Sequence, residues 1–239
     1  MTDNNKYAQL WEAEYQMGGI PSSLRTTPSG AVEWAVKELR RQNFRLRTAI
    51  DVGCGKGRNS LYLAAQGMNV TAMDFTSNAI AELDKEATKK GLTEKIRAIV
   101  YDVTEPWPIA LNDNDLVVDA FCFKHITGSE SRQAYKQNLL RALSVRGHFL
   151  ISFASIGDGY YGHYIQSSST DEGTALAIDP ANGIESVLFS RNHVVDFFAP
   201  ELDLCGEMQH NKPSAMHGRI YKRETYALLF RRRPHRFIS

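Results

Sequence analysis

A run of alternating glycines, four aspartates and a histidine set the chemistry open to this chain. The stretch AIDVGCGKGRNS, Ala49 to Ser60, is an apolar run ending in Asp51, then glycine at every second position (Gly53, Gly55, Gly57), then the polar start of a helix. Glycine permits the tight strand-to-helix turn and leaves no Cβ between the main chain and a ligand lying against it. A dinucleotide fingerprint G-x-G-x-x-G counted from Gly53 needs glycine at 58, where the chain has Arg58. The phosphate loop G-x-x-x-x-G-K-[ST] fails at the same position. What remains is Asp-x-Gly-x-Gly-x-Gly, whose acid accepts hydrogen bonds from an ammonium or from the loop's own amides.

In this form the loop resembles the first motif of the class I S-adenosylmethionine (SAM) methyltransferases. The longer stretch GCGKGRNSLYLAAQGMNVTAMD is most similar to the tellurite-resistance and thiopurine-type branch, which methylates small molecules. The resemblance covers residues 45–154 well and the last strands more loosely. It implies S-adenosyl-L-methionine as cofactor and a small-molecule partner. The implied fold is α/β: a Rossmann-like, doubly wound, mostly parallel seven-stranded sheet with an antiparallel closing strand and helices on both faces. It further implies that Asp102 accepts from the adenine amino group while the Val103 amide donates to a ring nitrogen. An N-terminal aromatic helix bearing Tyr7 and Trp11 would fold over the cofactor.

The residues support these roles on their own chemistry. Open α/β sheets bind ligands at the carboxyl ends of their strands, where Asp51, Asp74, Asp102 and Asp119 all fall. Asp74 follows Asp51 by 23 residues, near the interval of about 20 at which an acid reaches ribose hydroxyls. Phe75 beside it can cover one face of adenine. Asp119 lies within an apolar strand and needs a partner, either the sulfonium and α-ammonium of SAM or an inward salt bridge. Phe121 and Phe123 can offer ring faces to a sulfonium, with Phe123 assigned to the substrate side. Arg58 is placed to meet the SAM carboxylate, with Arg25 as the competing choice.

Methyl transfer is a displacement at carbon, so alignment and exclusion of water dominate, and a base is needed only for a hydroxyl or protonated amine acceptor. His125, the titratable residue nearest the tip of the fourth strand, is the candidate base; its alternative is a packing or capping histidine. Tyr160, Tyr161 and Tyr164 are candidate substrate contacts, with His163, His210, His217 and Arg219 secondary. The expected reaction is methylation of an O, N or S atom of a small molecule, a transferase of the EC 2.1.1 type releasing S-adenosyl-L-homocysteine. The alternative is attack by the SAM amino group on its own γ-carbon, releasing methylthioadenosine.

Composition narrows the partners. The formal charge of +1, from 28 basic and 27 acidic residues, creates no global field for nucleic acid or an anionic membrane. Cys54, Cys122 and Cys205 lie far apart, which suits a reducing cytoplasm and neither a metal site nor a disulfide framework. No apolar run approaches the roughly 18 residues of a membrane span, so a soluble, cytoplasmic chain is expected. The basic tail RRRPHRFIS reads as a solvated end.

The elements that position these residues follow from periodicity. With 239 residues the chain is expected to be one SAM-binding domain over 1–239, with an N-terminal lid at 1–30. Tyr7, Trp11 and Tyr15, four residues apart, share one helical face. Val32, Val36 and Leu39 mark the next helix. Helix and strand then alternate, with strands at NVTAM, Ile96 to Tyr101, Leu116 to Phe121 and His148 to Ala154. From Ser155 to Glu185 the pattern dissolves into Gly, Ser and Tyr, an irregular stretch expected to be a substrate lid. A helix Arg191 to Phe198 and strands Cys205 to Gln209 and Arg223 to Phe230 complete the chain.

Overall fold

The computed structural model describes residues 4–171 and 173–233. Helix α1 (Asn4–Met17) ends at Gly18, whose φ of +65° favours glycine. A short turn α2 (Pro21–Leu24) leads to α3 (Gly30–Arg41), which buries Val32, Ala35, Val36 and Leu39 on one face. There follow β1 (Thr48–Val52), α4 (Arg58–Ala65), β2 (Asn69–Asp74), α5 (Ser77–Lys89), β3 (Ile96–Val100), β4 (Asn114–Ala120), α6 (Ser129–Ala142) and β5 (Leu143–Ala154).

These strands form a seven-stranded sheet in the order β3-β2-β1-β4-β5-β10-β9, where β9 is Leu202–Met216 and β10 is Arg219–Arg232. Strands β1 to β5 pair in parallel, and β10 runs antiparallel to both its neighbours. Alternation along the central strands divides the core between the two faces. Val117 joins Phe149, Ile151 and Tyr135 on one side, whereas Leu116, Val118 and Leu150 join α3 residues on the other.

Two expectations change. The stretch 155–185 is not irregular: it carries β6 (Ile165–Asp171) and β7 (Thr174–Ile178), which with β8 (Glu185–Phe189) form a separate antiparallel sheet in the order β6-β7-β8. Its Gly- and Ser-rich composition hides it, and the short β7 buries just Ala175 and Ala177. The last two strands are also longer than expected, because His210 to Met216 is polar and shows no apolar alternation. Helix α7 (Arg191–Phe198) stands where the sequence places it.

The start of the basic tail is tied down: Arg232 bonds the Asn112 side chain at 2.7 Å and Arg233 pairs with Asp203 at 2.6 Å. The rest, from Pro234 on, lies outside the described residues, as do Met1 to Asp3 of the expected N-terminal lid and Glu172. Among the described residues no helix is long and apolar enough to cross a membrane, and no cluster of three or more His, Cys, Asp or Glu is arranged for a metal.

Candidate active site

The glycine loop leaves β1 with positive φ at Gly53, Gly55 and Gly57. Packing requires glycine there too, since a Cβ on Gly53 would lie 2.5 Å from the Cys122 side chain and one on Gly57 2.2 Å from Leu83. Asp74, at the end of β2, ties the loop in place. One carboxylate oxygen accepts from the Gly55 amide at 2.8 Å, the other from the Thr76 amide and hydroxyl at 2.9 and 2.6 Å. Burial raises its pKa.

A cavity of about 240 Å³ opens at the carboxyl ends of β2, β3 and β4 and is roofed by α1. Tyr7 and Trp11 face it from the roof; Gly53, Asp74, Phe75, Asp102 and Val103 face it from the sheet. Asp102 also accepts from the Thr104 amide and hydroxyl at 2.9 and 2.7 Å. A smaller cavity of about 60 Å³ shares Trp11, Asp74 and Phe75, and adds Tyr15, Gly55, Arg58 and Phe121. Tyr15 lies directly over the loop, its hydroxyl 2.8 Å from where a Gly55 Cβ would stand, and bonds Asp74. Acid for a diol, aromatic face for a purine, acid for an amino group and guanidinium for a carboxylate: this donor set fits the two ends of SAM.

Two of the expected cofactor acids turn out to hold the protein together. Asp51 accepts from the Ser60 hydroxyl at 2.6 Å, clamping the first turn of α4, and burial pushes its pKa up to about 6. Asp119 accepts from the Cys122 amide at 2.8 Å, the Phe123 amide at 2.9 Å and the Tyr135 hydroxyl at 2.8 Å, with its pKa pushed up to about 7 by burial. Among the described residues it makes no salt bridge; amides and a phenol satisfy it. Neither acid borders the cofactor-side cavities. The turn that Asp119 anchors sets Phe121 at φ +77°, uncommon for a non-glycine residue, with its N–H bonded to the Ser152 carbonyl at 3.0 Å.

A third cavity, about 410 Å³, lies between the α2–α3 segment, the end of β5 and the β9–β10 hairpin. It shares Arg58 and Phe121 with the 60 Å³ cavity. Alternate residues of the hairpin face it: His210, Lys212 and Ser214 on β9, Arg223, Thr225 and Ala227 on β10. Arg25 borders this cavity and neither of the other two, whereas Arg58 borders both this one and the 60 Å³ cavity.

Of the four expected substrate contacts only Tyr161 lines it. Phe123 is a core residue, 1% exposed and packed against Tyr135, Phe189, Phe197 and Phe198. Tyr160 donates its hydroxyl to Asp179 at 2.7 Å and packs against Tyr164, so both belong to the foundation of the insert.

His125 borders both cofactor-side cavities, with its ring edge-on to Trp11 at 4.8 Å between centroids. Its Nδ1 donates to the Glu185 carbonyl at 2.8 Å, leaving Nε2 as the acceptor nitrogen. Burial first, and then the charge of Lys124, hold its pKa well below the usual 6.5. Lys124 is the residue the sequence did not reveal. It is 3% exposed, lines the 410 Å³ cavity, donates to the Ser186 hydroxyl at 3.1 Å and stands 3.9 Å above the Tyr161 ring. Burial, with Arg223 nearby, lowers its pKa to about 7.

The roof is stapled at both ends. Tyr7 donates to the Glu185 carboxylate. Glu14, fully buried, accepts from the Ile20 amide at 2.8 Å and the Ser23 hydroxyl at 2.7 Å, and its other oxygen accepts from Asn182 of the insert at 2.9 Å.

The sheet order and the crevice at its carboxyl edge are those of the Rossmann-like methyltransferase fold, and the comparisons that follow support a class I SAM-dependent methyltransferase domain, with SAM as the cofactor of that class. Residues 49–147 match the family described as "Methyltransferase domain". Over 110 residues the chain is 33% identical to the probable S-adenosyl-L-methionine-dependent methyltransferase TehB of Haemophilus influenzae, covering 46% of this chain and 36% of that protein. Over 140 residues it is 32% identical to the ubiquinone biosynthesis O-methyltransferase of Rickettsia conorii, covering 59% and 46%. The chain therefore spans less than half the length of these curated relatives. Among solved structures, 1,6-didemethyltoxoflavin-N1-methyltransferase of Burkholderia thailandensis, crystallised with 1,6-didemethyltoxoflavin and S-adenosylhomocysteine, superposes with a TM-score of 0.69 at 19% identity, over 97% of this chain and 91% of that one.

Proposed function

We propose that this chain transfers the methyl group of SAM to an oxygen, nitrogen or sulfur atom of a small molecule held in the 410 Å³ cavity. The observation that carries the reading is the wall of Arg58 and Phe121 common to the cofactor-side and the large cavity, which sets an acceptor against the methionine end of the cofactor. SAM, when bound, supplies an electrophilic methyl carbon on a sulfonium. Asp74 accepts from the ribose hydroxyls, Asp102 and the Val103 amide meet the adenine, and Trp11 and Phe75 cover it. Arg58 pairs with the carboxylate.

Lys124, on the acceptor side, takes the proton of a hydroxyl or protonated amine as the new bond to the methyl carbon forms and the carbon–sulfur electrons return to sulfur. A thiolate acceptor needs no such base. His125, neutral and fixed by Glu185, walls the donor side. The named relatives are all methyltransferases, and none supports ring closure at the γ-carbon. No nucleic-acid partner is needed by a site of this size, and three free thiols suit a reducing compartment such as the cytoplasm.

Mass spectrometry after incubation with SAM and a panel of small phenols, amines and thiols tests the reading. S-adenosylhomocysteine with a product heavier by one methylene is expected. Methylthioadenosine as the sole product, or failure of the protein to bind SAM, overturns it.

A further inference from the structure

The large cavity carries more positive charge than a carboxylate on the methyl donor requires. Arg25, Lys124, Lys212 and Arg223 border it together with Arg58, and among the described residues no aspartate or glutamate does. Lys212 and Arg223 stand directly opposite one another in the β9–β10 ladder, a like-charge pairing that weakens a sheet. Arg223 is balanced by Asp158 at 2.7 Å, while Arg25 and Lys212 make no ion pair among the described residues. Arg25 also lies close enough to Arg58 to repel it.

A second observation is independent of charge. Ser152, near the end of β5 and 2% exposed, borders the same cavity, and its hydroxyl has no hydrogen-bond partner among the described residues. Buried hydroxyls are nearly always bonded, so an orphan facing a cavity marks where a ligand atom belongs.

We propose that the methyl acceptor is an oxyanion, a compact molecule whose carboxylate or phosphate is held by Arg25, Lys212 and Arg223, with the Ser152 hydroxyl donating to it. Guanidinium groups suit such anions because they present paired donors in one plane. The proposal rests on the reading of this cavity as the acceptor site. It also gives the crowded cations a role: the charge that destabilises the free hairpin is neutralised by the bound anion.

The test compares matched probes on protein saturated with S-adenosylhomocysteine: 4-hydroxybenzoate, phenyl phosphate and the neutral 4-hydroxybenzamide, by calorimetry. At least one anion is expected to bind about 10-fold or more tightly than the amide, as charge-assisted hydrogen bonds do. The tighter anion identifies the group. In the Arg25→Gln, Lys212→Gln double variant, two exposed sites that leave the fold alone, that preference should collapse to within about 3-fold. Ser152→Ala should weaken the anion several-fold without lowering Tm, a combination a merely structural serine would not give. Equal or tighter binding of the amide, or no binding of any probe, overturns the proposal. Affinity for S-adenosylhomocysteine on the same sample separates the outcomes: if it is intact, only the anion proposal falls; if it is absent, the methyltransferase reading falls with it.

Discussion

The carboxyl edge of β1 to β4 and the wall formed by the β9–β10 hairpin with Tyr161 and Lys124 meet at Phe121 from opposite sides, yet they are assembled differently. The donor side draws its sheet residues from successive βα units between Gly53 and His125, each at the tip of its own strand. The acceptor side gathers Arg25, Lys124, Ser152, Tyr161, Lys212 and Arg223 from across the chain. Topology alone places the first set, because the strand order puts those tips side by side. Only the folded long-range contacts place the second. Donor chemistry can thus be shared by many chains of this fold while the acceptor wall differs from one to the next.

The comparison is broken most forcefully at Lys124. Lys124→Met should lower kcat by about 10² to 10⁴ while affinity for S-adenosylhomocysteine stays within about 3-fold, given a hydroxyl or amine acceptor. The sign of the pH dependence follows from its lowered pKa: the amine works as a base only when neutral, so the wild-type rate should rise with pH through about 7, and that limb should vanish in the variant. A Lys124→Met enzyme with unchanged kcat would remove the base from this wall.

Asp74→Ala is the converse experiment. Losing an acceptor to the ribose should weaken SAM by about 1.5 to 3 kcal/mol, with anion binding in the large cavity little changed. Calorimetry showing wild-type SAM affinity in the folded variant would take Asp74 out of the site. His125→Gln sharpens the boundary between the sides. A donor-side wall predicts less than about a 10-fold loss in kcat, whereas a general base predicts at least the roughly 10² of proton-transfer catalysis. Because burial keeps His125 neutral, His125→Gln should leave the rising limb assigned to Lys124 unchanged.

The smallest expected effect concerns the two segments read from the sequence as lids. Hydrogen exchange in α1 and in the β6–β8 sheet should slow when SAM is added. Equal protection with and without SAM would mean that neither segment closes over a ligand.

The residues that border the two cavities at the carboxyl edge were largely legible. Asp74, Phe75 and Asp102 follow apolar strands, and strand ends locate ligands in this fold. The same signal pointed to Asp51 and Asp119, which border neither cavity, because position at a strand end does not say which carboxylates will face the crevice. The Asp119 carboxylate is instead filled by groups of Cys122, Phe123 and Tyr135. Lys124 was invisible for a different reason. Its burial is created by Ser186, 62 residues away, and by the Tyr161 ring, neither of which leaves a mark beside it in the sequence. Of the hairpin wall only His210 stood out as a candidate, because the stretch His210 to Ser214 is polar and shows no apolar alternation.

One helix roofs the donor pocket and is pinned to the insert through Glu14–Asn182 and Tyr7–Glu185, so lifting the roof to admit the donor also disturbs the insert. The kinetic consequence is a compulsory order of addition, with the methyl donor entering first and its demethylated product leaving last. Initial-rate analysis should show S-adenosylhomocysteine competing with SAM but not with the acceptor. A random-order pattern would show that the roof lifts without disturbing the insert.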